Sequence, residues 1–378
     1  MSNIAERNRL RVLHLVPNFS GGGAEKQLSW LAASLQDLGI DVHLAYLREG
    51  ANFGLARASS ATFHRIPSCS NHDPTILLRL LALIHRLRPN IVQTWILNMD
   101  VFGGLAARMS GVPFVLSERS SALMYPVSWK VRLRDWVGRG ADAVVANSQG
   151  GMEYWRPRTK ASLHVIQNGL PMDQIRDVRP IEPGTLGLPG DAQLIVSAGR
   201  LSPEKNLPLL LDALDQVLPS HPKAIALLFG EGPLRRDVEE RIRRSRHANQ
   251  YRLPGFTHDL WRWIRSAKVV VSASLLEGNP NVILEAMAIG CPLIVSDIPQ
   301  HREILDESMA MFCPTDSAPR FAAAIEQTLS NMAEAKARAA ASQERSHAWS
   351  LDETARKYVH LYRSLAAQNG AAGGSFNR

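Results

Sequence analysis

Two glutamates with seven residues between them, Glu277 and Glu285, open and nearly close the segment Glu277-Gly278-Asn279-Pro280-Asn281-Val282-Ile283-Leu284-Glu285, which continues Ala286-Met287-Ala288-Ile289-Gly290. The β-branched run Val269-Val270-Val271 precedes it and Leu293-Ile294-Val295 follows. Asn279 is expected as a helix N-cap, Pro280 as the first helical residue and Gly290 as the stop. Strand, loop, helix and strand make one unit of a parallel sheet buried on both faces, with its chemistry at the carboxyl end of the strand. Glu277 then stands in the loop before the helix and Glu285 inside it. The helix start offers unpaired N–H groups and partial positive charge to an anion or a hydroxyl array.

The same alternation repeats along the chain. Apolar runs at 11–17, 41–47, 62–67, 90–95, 113–117, 143–147 and 163–166 read as strands, with helical spacing at 75–88 and 100–110 between them. Residues 175–191, rich in proline and glycine, read as a linker, and a second series follows with strands at 193–198, 224–229 and 251–254 and a helix at 207–218. A chain of 378 residues is long for one core and comfortable for two. The expected fold class is α/β, two Rossmann-like parallel-sheet domains at 1–175 and 176–350 facing across a cleft that suits a ligand. A strong helix is expected at 351–365, and the small and polar residues 366–378 read as a disordered tail.

The net charge of +8 favours an anionic partner: a nucleotide, nucleic acid or an anionic membrane surface. Scattered arginines without aromatic platforms beside them argue against nucleic acid. The three cysteines, Cys69, Cys291 and Cys313, are widely spaced, which fits reduced thiols in a cytoplasmic protein and supplies no metal-type pair. No apolar leader precedes the first strand and no run is long enough to span a bilayer. The stretch 125–139 carries Trp129, Lys130, Arg132, Arg134 and Trp136, a composition suited either to the inner face of a membrane or to a solvated basic face over a buried stripe.

Two further loops bear chemistry. Ser20-Gly21-Gly22-Gly23 lies between a strand and a helix, so Gly22 and Gly23 fit a phosphate cradle, the alternative being a plain tight turn. In Gly199-Arg200-Leu201-Ser202-Pro203-Glu204-Lys205-Asn206, Ser202 is expected to cap a helix that Pro203 starts. Arg200 and Lys205 would then converge on a diphosphate at its mouth.

Taken together, Gly199-Arg200 with Lys205, Gly230-Glu231-Gly232-Pro233, and Glu277 with Glu285 come in the order and spacing that resemble retaining glycosyltransferases of the GT-B fold, family 4 or group 1. The resemblance covers almost the whole chain. It implies that Arg200 and Lys205 bind the donor diphosphate and stabilise the leaving group, and that Glu277 holds the transferred sugar with the backbone of Gly278, Asn279 and Pro280. It implies that Glu285 holds the ribose, that the loop Gly21 to Gly23 faces the phosphates and the acceptor from the other domain, with Gly22 and Gly23 on the donor, and that the helix at 351–365 packs back on the first domain. It also implies a nucleotide-sugar donor, UDP-linked, with no cofactor and no metal, and a glycan or lipid-linked glycan acceptor. Many relatives place a histidine after the strand at 113–117, where this chain reads Ser117-Glu118-Arg119-Ser120. That pattern resembles the bacterial branch that adds N-acetylhexosamines to lipid-linked oligosaccharides. Arg119 would then contact either the donor phosphate or the acceptor, with Glu118 orienting it, and Glu118, Arg119 and Asn98 are the acceptor-side candidates. The other readings are a nucleotide-sugar epimerase or hydrolase on this scaffold, and a nucleotide-sugar-binding subunit without catalysis of its own.

Overall fold

A computed structural model of the chain describes residues 9–120, 128–182 and 184–373, the side chains of 370–373 excepted. Tyr125, in the expected basic segment, and residues 374–378 of the expected tail lie outside the described residues. The chain divides into two units, one formed by residues up to Gly169 together with those from Leu351 onward, the other by Leu170–Ser350.

The first unit is built on β1 (Arg11–Asn18), β2 (Asp41–Arg48), β3 (Thr62–Arg65), β4 (Ile91–Trp95), β5 (Phe114–Glu118), β6 (Ala143–Ala146) and β7 (Ser162–Val165). They form a parallel sheet in the order β3-β2-β1-β4-β5-β6-β7. Successive side chains of a strand point to opposite faces, and the two cores divide accordingly. Val12 and Val16 of β1 belong to one core, Leu13 and Leu15 to the other. The first core is closed by the helix Leu351–Gly373, which supplies Ala355, Tyr358, Val359, Tyr362 and Leu365. This helix runs on to Gly373, so residues 366–373 are not the disordered tail expected; Ala366, Ala367 and Gln368 are good helix formers and extend an already packed helix.

The second unit holds β8 (Gln193–Ala198), β9 (Ala224–Phe229), β10 (Tyr251–Gly255), β11 (Ala267–Ser272), β12 (Leu293–Ser296) and β13 (Met311–Cys313). Its sheet is parallel throughout, in the order β10-β9-β8-β11-β12-β13. The order reverses at β8, where β9 lies on one side and β11 on the other, so the loops leaving β8 and β11 open beside one another. Those loops carry Arg200, Lys205 and Glu277. The chain enters and leaves this unit side by side, with Leu170 N–H donating to Trp349 O at 2.8 Å. The crossing therefore falls at Gly169, ahead of the linker stretch near 175 that the composition suggested.

Candidate active site

The donor-side candidates other than Gly22 and Gly23 lie within the second unit. The helix after β11 spans Asn281–Ile289 and its N-cap is Pro280, so Asn279 does not cap it. Pro280 has φ −78° and ψ 86°, outside the helix, so the helical residues begin one position later than expected. Asn279 is buried in the loop instead. Gly290, at φ 75°, ends the helix as expected.

Beyond β8, Pro203–Lys205 form a single 3-10 turn and Asn206, at φ 51°, separates it from the helix Leu207–Val217. Ser202 makes no cap bond; its hydroxyl donates to Glu204 Oε1 at 2.6 Å. Lys205 turns across Gly199 and its Nζ reaches Glu277 Oε1 at 2.5 Å. Ser274 Oγ donates to the same oxygen at 2.7 Å. Arg200 is exposed and, among the described residues, ion-paired with no carboxylate. A small pocket beside this pair is lined by Ser197, Gly199, Arg200, Lys205, Ser272 and Ser274. Burial alone would push the Glu277 carboxyl up, but the charge of Lys205, that of His301 when protonated, and the hydrogen bonds from Lys205 and Ser274 together hold it below the usual range. It is an ionised, acceptor-only group through neutral pH.

The loop Gly230-Glu231-Gly232-Pro233 holds Arg200 in place. Leu201 N–H donates to Glu231 O at 3.0 Å and Leu234 N–H to Leu201 O at 2.9 Å. Gly230, at φ 130°, lies so close to Gly199 that a Cβ there would sit 1.9 Å from the Gly199 carbonyl oxygen. Only glycine fits. Glu285 is buried within the helix Asn281–Ile289 and accepts from Trp261 Nε1 at 2.9 Å. Trp261 and His301, which act on the candidates Glu285 and Glu277, were missed in the sequence because neither belongs to a recognisable spacing.

The first unit places its candidates at the carboxyl ends of β1, β4 and β5. Gly22 is the N-cap of the helix Gly23–Asp37, and the carboxylate of Glu25 folds beneath it, where a Cβ on Gly22 would meet Oε2 at 2.4 Å. Ser20 Oγ donates to Glu25 Oε1 at 2.6 Å, and Asn52 Nδ2 donates to the carbonyls of Ser20 and Gly22. Burial raises the Glu25 carboxyl, against the bond from Ser20. The inner side of the glycine loop is thus taken by the protein's own acid, an arrangement that counts against a phosphate cradle at Gly22 and Gly23. Asn98 is half-buried in the first turn of the helix Leu97–Met109, just after Ile96, a β-branched residue held at φ 72°.

Glu118 does not orient Arg119. It is fully buried and accepts from Arg134 Nη1 at 2.9 Å, Trp155 Nε1 at 2.9 Å and Ser120 N–H at 2.9 Å. Arg119 is placed by other groups: its guanidinium lies 4.1 Å from the Trp95 ring centre, Nη1 is 3.3 Å from Asn168 Oδ1 and Nη2 donates to Tyr358 Oη. Below it His14 accepts from Trp95 Nε1 at 3.1 Å; burial, and then Arg119, lower its pKa to about 3.

Arg134 is likewise misplaced by the sequence reading. At 1% side-chain exposure it is paired with Asp100 at 2.6 Å and Glu118 at 2.9 Å, so it cannot reach a membrane. Its neighbours on the helix Trp129–Gly138 do face outward: Trp129 is 69% and Trp136 54% exposed, Arg132 is exposed and Lys130 half-exposed. No helix among the described residues is long and apolar enough to cross a membrane.

The family model described as "Glycosyltransferase Family 4" matches residues 21–174, and "Glycosyl transferases group 1" matches 192–331. The chain is a glycosyltransferase of the family 4 and group 1 type. The two matches fall on the two parallel-sheet units, and the architecture is GT-B. An uncharacterized glycosyltransferase of Methanocaldococcus jannaschii is 24% identical over 162 residues, 42% of this chain and 40% of its own length. The UDP-Gal:alpha-D-GlcNAc-diphosphoundecaprenol alpha-1,3-galactosyltransferase of Escherichia coli is 24% identical over 247 residues, 60% of this chain and 62% of its own. Each match spans less than two thirds of that relative. HepE of Anabaena, crystallised with UDP and glucose, superposes with a TM-score of 0.83 at 18% identity, covering 94% of this chain and 100% of that one.

Proposed function

We propose that this glycosyltransferase moves a hexose or N-acetylhexosamine from a UDP-linked sugar to a lipid-linked glycan or a surface-polysaccharide precursor, with retention at the anomeric carbon. The observation that carries the reading is the Lys205–Glu277 pair beside the exposed Arg200, at the carboxyl ends of β11 and β8. A cation, an ionised carboxylate and an uncommitted guanidinium suit a diphosphate next to a polyhydroxyl ring. In this reading Arg200 and Lys205 hold the diphosphate, Glu277 and the backbone of Gly278, Asn279 and Pro280 hold the sugar, and Glu285 holds the ribose. The bond from the anomeric carbon to the diphosphate oxygen breaks, the departing charge is met by Arg200 and Lys205, and the acceptor oxygen bonds from the same face as its proton passes to the leaving diphosphate. The two cations supply charge stabilisation of the kind a divalent ion gives elsewhere, so this reading requires no metal. HepE's UDP and glucose, and the UDP-galactose and diphosphoundecaprenol in the Escherichia coli relative's name, support the donor and acceptor classes.

Thermal melting with a panel of UDP-, GDP- and ADP-sugars, with and without EDTA, tests the donor site. UDP-sugars are expected to raise the melting temperature, equally with EDTA present. Stabilisation by no nucleotide sugar, or only with a metal, contradicts the reading.

A lipid-linked acceptor places the enzyme on the cytoplasmic face of a membrane, and the exposed Trp129 and Trp136 with Arg132 and Lys130 are the surface proposed to rest there. Replacing both tryptophans by serine is expected to lower partition onto phosphatidylglycerol vesicles about tenfold, and raised salt to lower it further. Equal flotation of the variant and the native protein would remove this surface from the account.

A further inference from the structure

His301 lies in the short helical turn Pro299–Arg302 that follows β12, and it is fully buried. Its Nδ1 is 2.7 Å from the carbonyl oxygen of Ser296. A carbonyl can only accept, so Nδ1 carries the hydrogen and Nε2 is left as a lone-pair acceptor. That nitrogen is buried and finds no hydrogen-bond partner among the described residues. The Ser296 hydroxyl, 3.3 Å from Nδ1, donates to the backbone carbonyl of Ser274. Ser274 Oγ in turn donates to Glu277 Oε1 at 2.7 Å, the oxygen that Lys205 Nζ also meets. One polar path therefore runs from the imidazole across the ends of β12 and β11 to the carboxylate of the candidate donor site.

We propose that His301 is a positioning residue of the donor site, fixing the orientation of Glu277 against Lys205 through Ser296 and Ser274. The inference rests on the donor-site reading above. His301 touches no substrate; it acts through Glu277. The charged groups that face it are Glu277, Lys205 and Asp297. Burial first, and then Lys205, lower its pKa, while Glu277, the Ser296 carbonyl and Asp297 oppose them. The imidazole is accordingly neutral at and above the ordinary histidine range. As the pH falls through the lowered pKa, Nε2 takes up a proton, and the new cation competes with Lys205 for the Glu277 carboxylate. Donor binding then weakens on the acid side only.

The test is the pH dependence of kcat and donor KM for the native enzyme, His301→Ala and His301→Asn, with folding checked by thermal melting. Asparagine can return an N–H to the Ser296 carbonyl but cannot ionise. His301→Ala is expected to raise donor KM about tenfold with a smaller fall in kcat, the loss of one well-placed hydrogen-bond path. His301→Asn is expected to restore most of the KM near neutrality and to abolish the acid limb. If the alanine variant does not fold, the acid limb of the asparagine variant decides alone. A folded variant with native KM and a native acid limb overturns the inference, while loss of transfer in Lys205→Ala shows the donor-site reading still standing. Unchanged transfer in Lys205→Ala removes both.

Discussion

Replacing Lys205 with alanine is expected to slow sugar transfer about 10²- to 10³-fold, the usual cost of removing a preorganised group aimed at developing charge. Two effects add. The departing diphosphate loses a cation fixed in position before the reaction begins, because Lys205 Nζ is already held 2.5 Å from Glu277 Oε1. Glu277, whose side chain is only 12% exposed, also loses its chief counter-charge, so its pKa rises and it becomes a poorer acceptor for sugar hydroxyls. The first effect appears in kcat and the second in donor KM. Steady-state kinetics with a saturating acceptor separates them. A folded Lys205→Ala enzyme with kcat within about threefold of native contradicts the assignment, since one lost preorganised charge should cost far more.

The second large effect concerns stability. Arg134→Met is expected to destabilise the first unit by about 3–5 kcal/mol, because it strips the shared cation from two buried carboxylates. Arg134 bonds Asp100 Oδ2 at 2.6 Å and Glu118 Oε2 at 2.9 Å. The remaining carboxylate oxygens are satisfied by Thr94 Oγ1 and the Ser120 N–H. Burial raises the Asp100 carboxyl, Arg134 opposes it, and Glu118 adds to it. Without Arg134 the Asp100 carboxyl, already raised by burial, loses the charge that opposes the rise. The sign follows. Its folded pKa stands further above the unfolded one, so the deficit is largest near neutrality and shrinks as the pH falls toward the raised value. Denaturant unfolding at neutral pH and near pH 5, about one unit above the unfolded carboxylate range, checks both size and direction. Native stability in Arg134→Met, or a deficit that grows on acidification, contradicts the pairing.

The strands were legible because parallel sheets buried on both faces are written as continuous β-branched runs, as at Val269-Val270-Val271. Lys205 and Glu277 were legible as candidates from their residue types and from the resemblance of their order and spacing. Their pairing was not: Lys205 and Glu277 are 72 residues apart, and nothing local says that the lysine faces the glutamate. Arg134 was misread for a different reason. It falls on the stripe formed with Val131 and Val137, all buried, and that spacing was visible, but a guanidinium is placed inside only when carboxylates from other elements meet it. Asp100 and Glu118 supply them from a helix and a strand remote in sequence. His301 gave no signal, since a single histidine in a polar turn looks the same whether its imidazole faces water or a buried serine carbonyl. The start of the helix at Asn281 differed from expectation because Pro280 serves as the cap itself.

The central claim is transfer with retention from a UDP-linked sugar. Its most direct measurement is the anomeric configuration, read by NMR, of the product formed from α-linked UDP-sugars and a polyprenyl-diphosphate-linked glycan. The account predicts an α-linked product that disappears with Lys205→Ala and is unaffected by EDTA. An inverted product, or consumption of the nucleotide sugar by hydrolysis or epimerisation with no glycan extended, would contradict it.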